Sequence, residues 1–332
     1  MPGTTTDATI HDIRTISQHP ERFHGWPTVA RRRDGELLVA CSGNRQAHVC
    51  PFGKVELIRS RDDGKTWSEP VLLADGPLDD RDAGVIETSK GTILVNWFTS
   101  LAWLRKVLPL IERGERDAPE NVERWYQIRD GLDEQTMRRE LGGWMLRSED
   151  GGKTWSARIN TVANSPHGPT ELSDGRLLYV GALVDETGQG AESGSPFAAG
   201  RLSVSESRDD GRTWTWLADL PGAPEGSRYV EPYAVEAADG RIVAQIRYHG
   251  PEHRETLQCE SLDGGWTWSE PRSIGVAGFP SHLLRLRDDR LLMTYGHRYE
   301  PWGNQARVSE DHGQTWSEPI VLLGEGGPRD LG

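Results

Sequence analysis

Ser60-Arg-Asp62-Asp-Gly64-Lys-Thr66-Trp67 is the first of five copies of one pattern, Ser-x-Asp-x-Gly-x-Thr-Trp, and this pattern decides the fold. The other four begin at Ser148, Ser207, Ser261 and Ser309 and end at Trp155, Trp214, Trp268 and Trp316. All copies agree at every fixed position, which chance does not explain even in a Gly-rich chain of 332 residues. The physical content is a tight turn. Glycine supplies the positive φ, Asp, Ser and Thr side chains bond the turn's own backbone, and Trp closes the apolar side.

A second repeat lies between the copies: an apolar run, a turn such as Asp34-Gly35 or Asp239-Gly240, and another apolar run. It spans 26–40, 83–95, 169–179, 232–244 and 281–293, and an Asp-Gly between apolar runs is a strong hairpin signal. Each unit therefore holds two hairpins and predicts a four-stranded blade. The inner pair comes first, then a third strand leading into the Ser-x-Asp turn, then a fourth, as in Ser68-Glu-Pro-Val-Leu-Leu.

The serines that open the five copies are 88, 59, 54 and 48 residues apart (148−60, 207−148, 261−207, 309−261). The first interval thus carries an insertion, near residues 101–141. Leu101, Leu104, Leu108 and Ile111 recur at helical spacing there, and Trp125, Ile128, Leu132 and Met137 continue the apolar stripe. Two helices are expected, packed on the rim of the fold or closing over its mouth.

The 38 Lys and Arg against 51 Asp and Glu give a net charge of -13, which argues against a nucleic-acid or anionic-membrane partner. Cys41, Cys50 and Cys259 have no metal-type spacing, so free thiols are expected, with no metal and no cofactor. The first residues lack a basic stretch followed by an apolar one, and no run reaches membrane-spanning length. The expectation is a cytoplasmic protein; the oligomeric state is not specified by the sequence.

The five copies resemble the Asp-box of the sialidase superfamily, and the resemblance covers nearly the whole chain. It implies an all-β fold, a sialidase-like β-propeller of four-stranded blades over residues 1–332, with the helical insertion in blade 2. Six blades are usual in that family and five are visible here, so the last blade is expected to be incomplete at the C-terminus. Residues Thr9 to Ile16 would supply an outer strand of that blade. The resemblance also places the boxes on the outer rim, where they carry fold and no chemistry.

Polar residues recur near the start of the inner strands: His24, the run Asp79-Asp80-Arg81-Asp82, His167, Glu231 and His282. In a propeller such residues would converge on an axial mouth. The segment Glu231 to Arg247 is similar to the family segment in which a Glu polarises the Tyr nucleophile and an Arg joins a carboxylate-binding triad. The resemblance thus implies those roles for Glu231 and Arg247, and a guanidinium fork suits a carboxylate better than an ammonium.

Other positions depart from the family pattern. Gly25 stands where the first-blade arginine belongs, and the loop Asn44 to Gly53 offers Arg45 and His48 instead of an aspartate. Arg298 and Arg307 are the candidates for the third arginine, and the nucleophilic Tyr would fall beyond Gly332. The candidate site therefore has Glu231, Asp80, Asp82 and His48 for proton transfer. Its ligand-binding candidates are His24, Arg45, Arg81, His167, Arg247, His282 and Arg298. The function implied is an exo-glycosidase acting on a glycan with a terminal acidic sugar, sialate or uronate. A uronate lyase and a non-catalytic glycan-binding propeller are the alternatives.

Overall fold

The computed structural model describes residues 9–17, 19, 21–185, 192 and 194–324. These form five antiparallel meanders, each with the strand order of a propeller blade. The first sheet runs β1 (Phe23–Arg31), β2 (Leu37–Arg45), β3 (Lys54–Ser60), β4 (Val71–Ala74). The second runs β5 (Asp79–Glu87), β6 (Ile93–Ser100), β7 (Gly143–Ser148), β8 (Ile159–Asn160). After the short β9 (Ala163–Asn164), the third runs β10 (Thr170–Glu171), β11 (Leu177–Val184), β12 (Phe197–Ser207), β13 (Thr215–Asp219). The fourth is β14 (Arg228–Glu236), β15 (Ile242–His249), β16 (Arg254–Ser261), β17 (Arg272–Val276). The fifth is β18 (Gly278–Arg285), β19 (Leu291–His297), β20 (Gly303–Ser309), β21 (Ile320–Leu323).

The described residues fall into two compact units. Unit I takes in those of 16–168 and 183–199, and unit II those of 9–15, 169–182 and 200–324. In unit I, Leu38, Ala40, Val55 and Leu57 of the first sheet meet Ala83, Val85, Ile93 and Val95 of the second. In unit II, Leu178, Val204 and Leu217 pack on Ala244, Ile246 and Cys259, and Tyr233, Val235 and Val243 pack on Leu283, Leu291 and Met293. Each such aliphatic side chain contributes roughly 1.5–3 kcal/mol by leaving water. No helix among the described residues is long and apolar enough to cross a membrane.

The Ser-x-Asp turns form as their chemistry dictates. In the first, Asp62 Oδ1 accepts from the Thr66 N–H at 2.8 Å, Asp62 Oδ2 from the Thr66 hydroxyl at 2.6 Å, and Ser60 Oγ from the Gly64 N–H at 2.9 Å. These donors hold the Asp62 carboxyl down at about 2, led by the Thr66 hydroxyl. The glycine is left-handed in all five copies, with φ between 80° and 95°, and so is the residue before it. The turns also fasten neighbouring sheets within each unit. Arg59 Nη1 donates to the Gly151 carbonyl, Arg176 Nη2 to Gly264, and Gln258 Nε2 to Gly313.

The insertion differs from the expected pair of helices. A π-helical turn, Trp103–Val107, runs into α1 (Leu108–Glu112), and α2 (Val122–Asp130) is followed by a separate α3 (Glu134–Glu140). The break has a local cause: α2 ends at Gly131, and Asp133 caps α3 by accepting the Thr136 N–H at 2.6 Å. Trp103, Val107, Leu108 and Trp125 bury Cys50 and cover Ala47, Val49 and Phe52. The insertion therefore packs on the loop that follows β2.

Residues 9–16 form no strand, contrary to the sequence expectation. Residues 9–15 are exposed, and only Ile16 gains apolar contacts, with Val39, Cys41 and Ile58. The expected incomplete last blade concerns residues after 324, outside the described residues.

Candidate functional site

Four inner strands slip register near their start, β18 between Gly278 and Ser281, and the other three share a further distortion that the sequence did not announce. Register slips between Gly25 and Thr28 in β1, Arg81 and Gly84 in β5, and Val230 and Tyr233 in β14. The bulged residue is Trp26, Asp82 or Glu231, each five places before the last residue of its strand (26 and 31, 82 and 87, 231 and 236). All three have left-handed φ, 53°, 53° and 49°. A bulge re-aims a side chain, and a non-glycine residue held there costs about 1–3 kcal/mol, strain that concentrates at functional positions.

This geometry corrects the phase inferred from sequence. His24 lies seven residues before the end of β1, His167 four before the end of β10, and His282 three before the end of β18 (24 and 31, 167 and 171, 282 and 285). They do not share the position of Glu231. The residue missed was Trp26, which shares with Glu231 the place immediately before a proline.

In unit I the side chains gather on Trp26. The guanidinium carbons of Arg45 and Arg81 lie 5.2 and 5.0 Å from its ring centroid, and the exposed His48 meets it edge-on at 5.0 Å. Beneath it is a buried ion pair. Arg45 and Asp79 are both fully buried, and Arg45 Nη1 and Nη2 reach the Asp79 carboxylate at 2.7 and 2.8 Å. Gly53 makes room for the pair, because a Cβ there would fall 2.0 Å from Arg45 Nη1 and 2.2 Å from Asp79 Oδ1. Burial opposes the Arg45 charge, but Asp79 outweighs it and the pKa is raised.

Asp80 is 2 % exposed. Its oxygens accept from Trp97 Nε1 and from the Gly76 N–H, both at 2.7 Å. Desolvation nevertheless pushes its carboxyl up to about 7. Arg45, expected to grip a ligand, and Asp80, expected to protonate one, are thus both buried in the wall behind Trp26. Arg81 and Asp82 lie at that wall 3.9 Å apart, and His24 Nε2 is 3.1 Å from Glu56 Oε2. His167 is kept neutral by burial, which pulls it down to about 4.

In unit II a second group gathers on Phe279. Arg247 and Arg298 place their guanidinium carbons 4.7 and 5.7 Å from its ring centroid, and the His249 ring lies 5.8 Å away. Arg247 Nη1 donates to Glu231 Oε2 at 2.7 Å, and its Nε donates to His249 Nε2 at 2.7 Å. That acceptor role needs a neutral imidazole. Burial first, then the Arg247 charge, pulls His249 down to about 4. Nε and one Nη1 hydrogen are engaged, and Nη2 has no hydrogen-bond partner among the described residues. Glu231 and Arg247 side chains are 27 % and 20 % exposed, so the pair is reachable.

Of the two arginines left open by the sequence, Arg298 joins this group, its Nε donating to the Phe279 carbonyl at 3.0 Å. Arg307 instead bonds the Tyr295 hydroxyl and the Ser317 carbonyl within the fifth sheet. His282 stacks on Tyr233 at 4.4 Å. Tyr233 is buried, and desolvation pushes its phenol up to about 12. His249 and Phe279 were not foreseen.

Comparison with known proteins shows what these features resemble. Residues 219–327 match the model of the BNR repeat-like domain. A sialidase from Bacteroides fragilis is 26% identical over 304 residues, covering 85% of this chain and 51% of the relative. The chain spans about half the length of the curated relatives it matches. Among solved structures, a Dyadobacter fermentans protein of unknown function is 26% identical with a TM-score of 0.71, covering 94% of this chain and 86% of that one. The intramolecular trans-sialidase of Ruminococcus gnavus, solved with oseltamivir carboxylate, is 13% identical with a TM-score of 0.56, over 90% and 83%. The repeated turns, the five antiparallel sheets and these likenesses together support a sialidase-like BNR β-propeller for this chain.

Proposed function

We propose that the chain is a sialidase-like exo-glycosidase that removes a terminal acidic sugar from a glycan. One observation carries the reading: Arg247 is held by Glu231 and His249 with Nη2 to spare, above the Phe279 ring that also carries Arg298. A guanidinium fixed on two sides costs little further ordering when it meets a carboxylate, and an aromatic floor suits the apolar face of a sugar ring. The Ruminococcus gnavus structure was solved with a carboxylate ligand, in keeping with this chemistry.

Hydrolysis breaks the bond from the anomeric carbon to the bridging oxygen. Water supplies a hydroxyl to the carbon, and the departing oxygen takes up a proton. On this reading Arg247 and Arg298 orient the sugar carboxylate, and Glu231, once the substrate shares Arg247, receives the proton released by the attacking water and returns it through solvent to the departing oxygen. A non-catalytic glycan-binding role is favoured by one observation: the loop from Asn44 to Gly53 carries no carboxylate and is packed under the insertion.

The carboxylate preference is tested by titrating the protein with N-acetylneuraminate and glucuronate, each against its methyl ester. Binding of at least one free acid is expected, with the ester weaker by about tenfold or more, corresponding to a lost charged contact of roughly 1.5–3 kcal/mol. Equal binding of acid and ester would remove Arg247 from ligand recognition.

A further inference from the structure

Unit I holds a cavity of about 380 Å³ between α2 and the end of the first sheet, lined by none of the residues gathered on Phe279. One wall is a single face of α2. Arg124, Gln127, Ile128 and Gly131 follow one another at the three- and four-residue spacing that shares a helix side. The opposite wall comes from Asn44 at the end of β2 and from Gln46 and Phe52 of the loop that follows it. The insertion therefore creates a cavity that neither it nor the blade would form alone.

The charge of this cavity runs against that of the protein. Arg22, Lys54 and Arg124 line it against a single carboxylate, Asp75, in a chain of net charge -13. Asp75 is already bound to Lys54 Nζ at 2.7 Å. Arg22 and Arg124 have no carboxylate partner among the described residues. Arg124 is instead braced over the Phe52 ring, 4.9 Å from its centroid, which orders the guanidinium without neutralising it. Asn44, Gln46 and Gln127 offer amide donors and acceptors, and Pro51, Pro77 and Leu132 offer apolar surface. Two uncompensated guanidinium groups, amides and a small apolar floor in one concavity suit a small, hydroxylated anion.

We propose that this cavity binds an anionic sugar residue, through its carboxylate or sulfate, as a site additional to the one around Arg247. The preference for an anion follows from Arg22 and Arg124 alone; the choice of a sugar as its bearer rests on the glycosidase reading.

The test is calorimetric titration of glucuronate, glucose 6-sulfate and neutral glucose into the full chain carrying Arg247→Gln, which silences the other site. In that background, binding of glucuronate or glucose 6-sulfate but not of glucose is expected. Adding Arg22→Gln and Arg124→Gln together, both exposed and so harmless to folding, is expected to weaken it at least tenfold. Raising the salt concentration should also weaken it, as befits exposed charges. No binding in the Arg247→Gln background, binding indifferent to the two arginines, or equal binding of glucose would each overturn the proposal. Failure of the glycosidase reading looks different, since glucuronate would then bind in the cavity while no glycan is cleaved.

Discussion

Glu231→Gln is expected to lower turnover of an acidic glycoside by about 10³-fold, within the 10²–10⁴ range of positioned proton transfer. The substitution keeps the size of the side chain and its place on the bulge, where φ is 49°, but removes both the basic oxygen and the charge facing Arg247. A loss confined to kcat would mark Glu231 as acting on the reacting atoms, and a rise in KM alone would mark it as a positioning residue for Arg247. Turnover at the wild-type rate would exclude it from both roles.

The pH profile of the wild type should carry the same signature. His249 is an acceptor for Arg247 only while neutral, and its folded pKa of about 4 lies below the ordinary value. The folded arrangement is therefore intact above the ordinary histidine range and is lost as pH falls through about 4, where a second positive charge would face Arg247.

Asp79→Ala is expected to destabilise unit I by about 3–5 kcal/mol, because it leaves the Arg45 guanidinium charged and unpaired in the interior. The cost is large because Arg45 also organises its surroundings. It donates to the Asp80 and His48 carbonyls at 3.2 Å each, and so fixes the loop that sets His48 against Trp26. The pair Arg45→Met with Asp79→Leu should recover much of the loss, since replacing a buried ion pair by apolar groups is often neutral. Urea denaturation followed by tryptophan fluorescence reads both. A loss below about 1 kcal/mol for Asp79→Ala would mean that water reaches the guanidinium.

The contrast between what the sequence revealed and what it hid is physical. The Ser-x-Asp turns and the Asp-Gly hairpins were legible because their hydrogen bonds close within a few residues, as in Thr66 to Asp62. The inner strand pairs followed directly. The phase of the site residues was misjudged because His24 stands three residues before Pro27 while Glu231 immediately precedes Pro232, an offset that the bulge shared by β1 and β14 leaves unchanged.

Burial of Arg45 and Asp80 was hidden for another reason. It depends on contacts between β2, β5 and the loop holding Gly53, which no local pattern records. The third helix of the insertion could have been read from Gly131 and from Asp133 three places before Thr136, a stop followed by a cap. The family resemblance supplied Glu231 and Arg247, which the structure joins at 2.7 Å; it could not supply Phe279 and His249, which make Arg247 a fixed rather than a mobile cation.

Hydrolysis of a glycoside at an acidic sugar is the activity proposed for the group around Arg247. Mass spectrometry of a mixed panel of sialylated, glucuronidated and rhamnosyl-glucuronate oligosaccharides, incubated with the purified protein, tests it most directly. At least one glycan is expected to be split at its terminal acidic residue into two products whose masses sum to the substrate plus one water. Products that sum to the substrate alone, one of them an unsaturated uronate, or a panel left entirely intact, would contradict it.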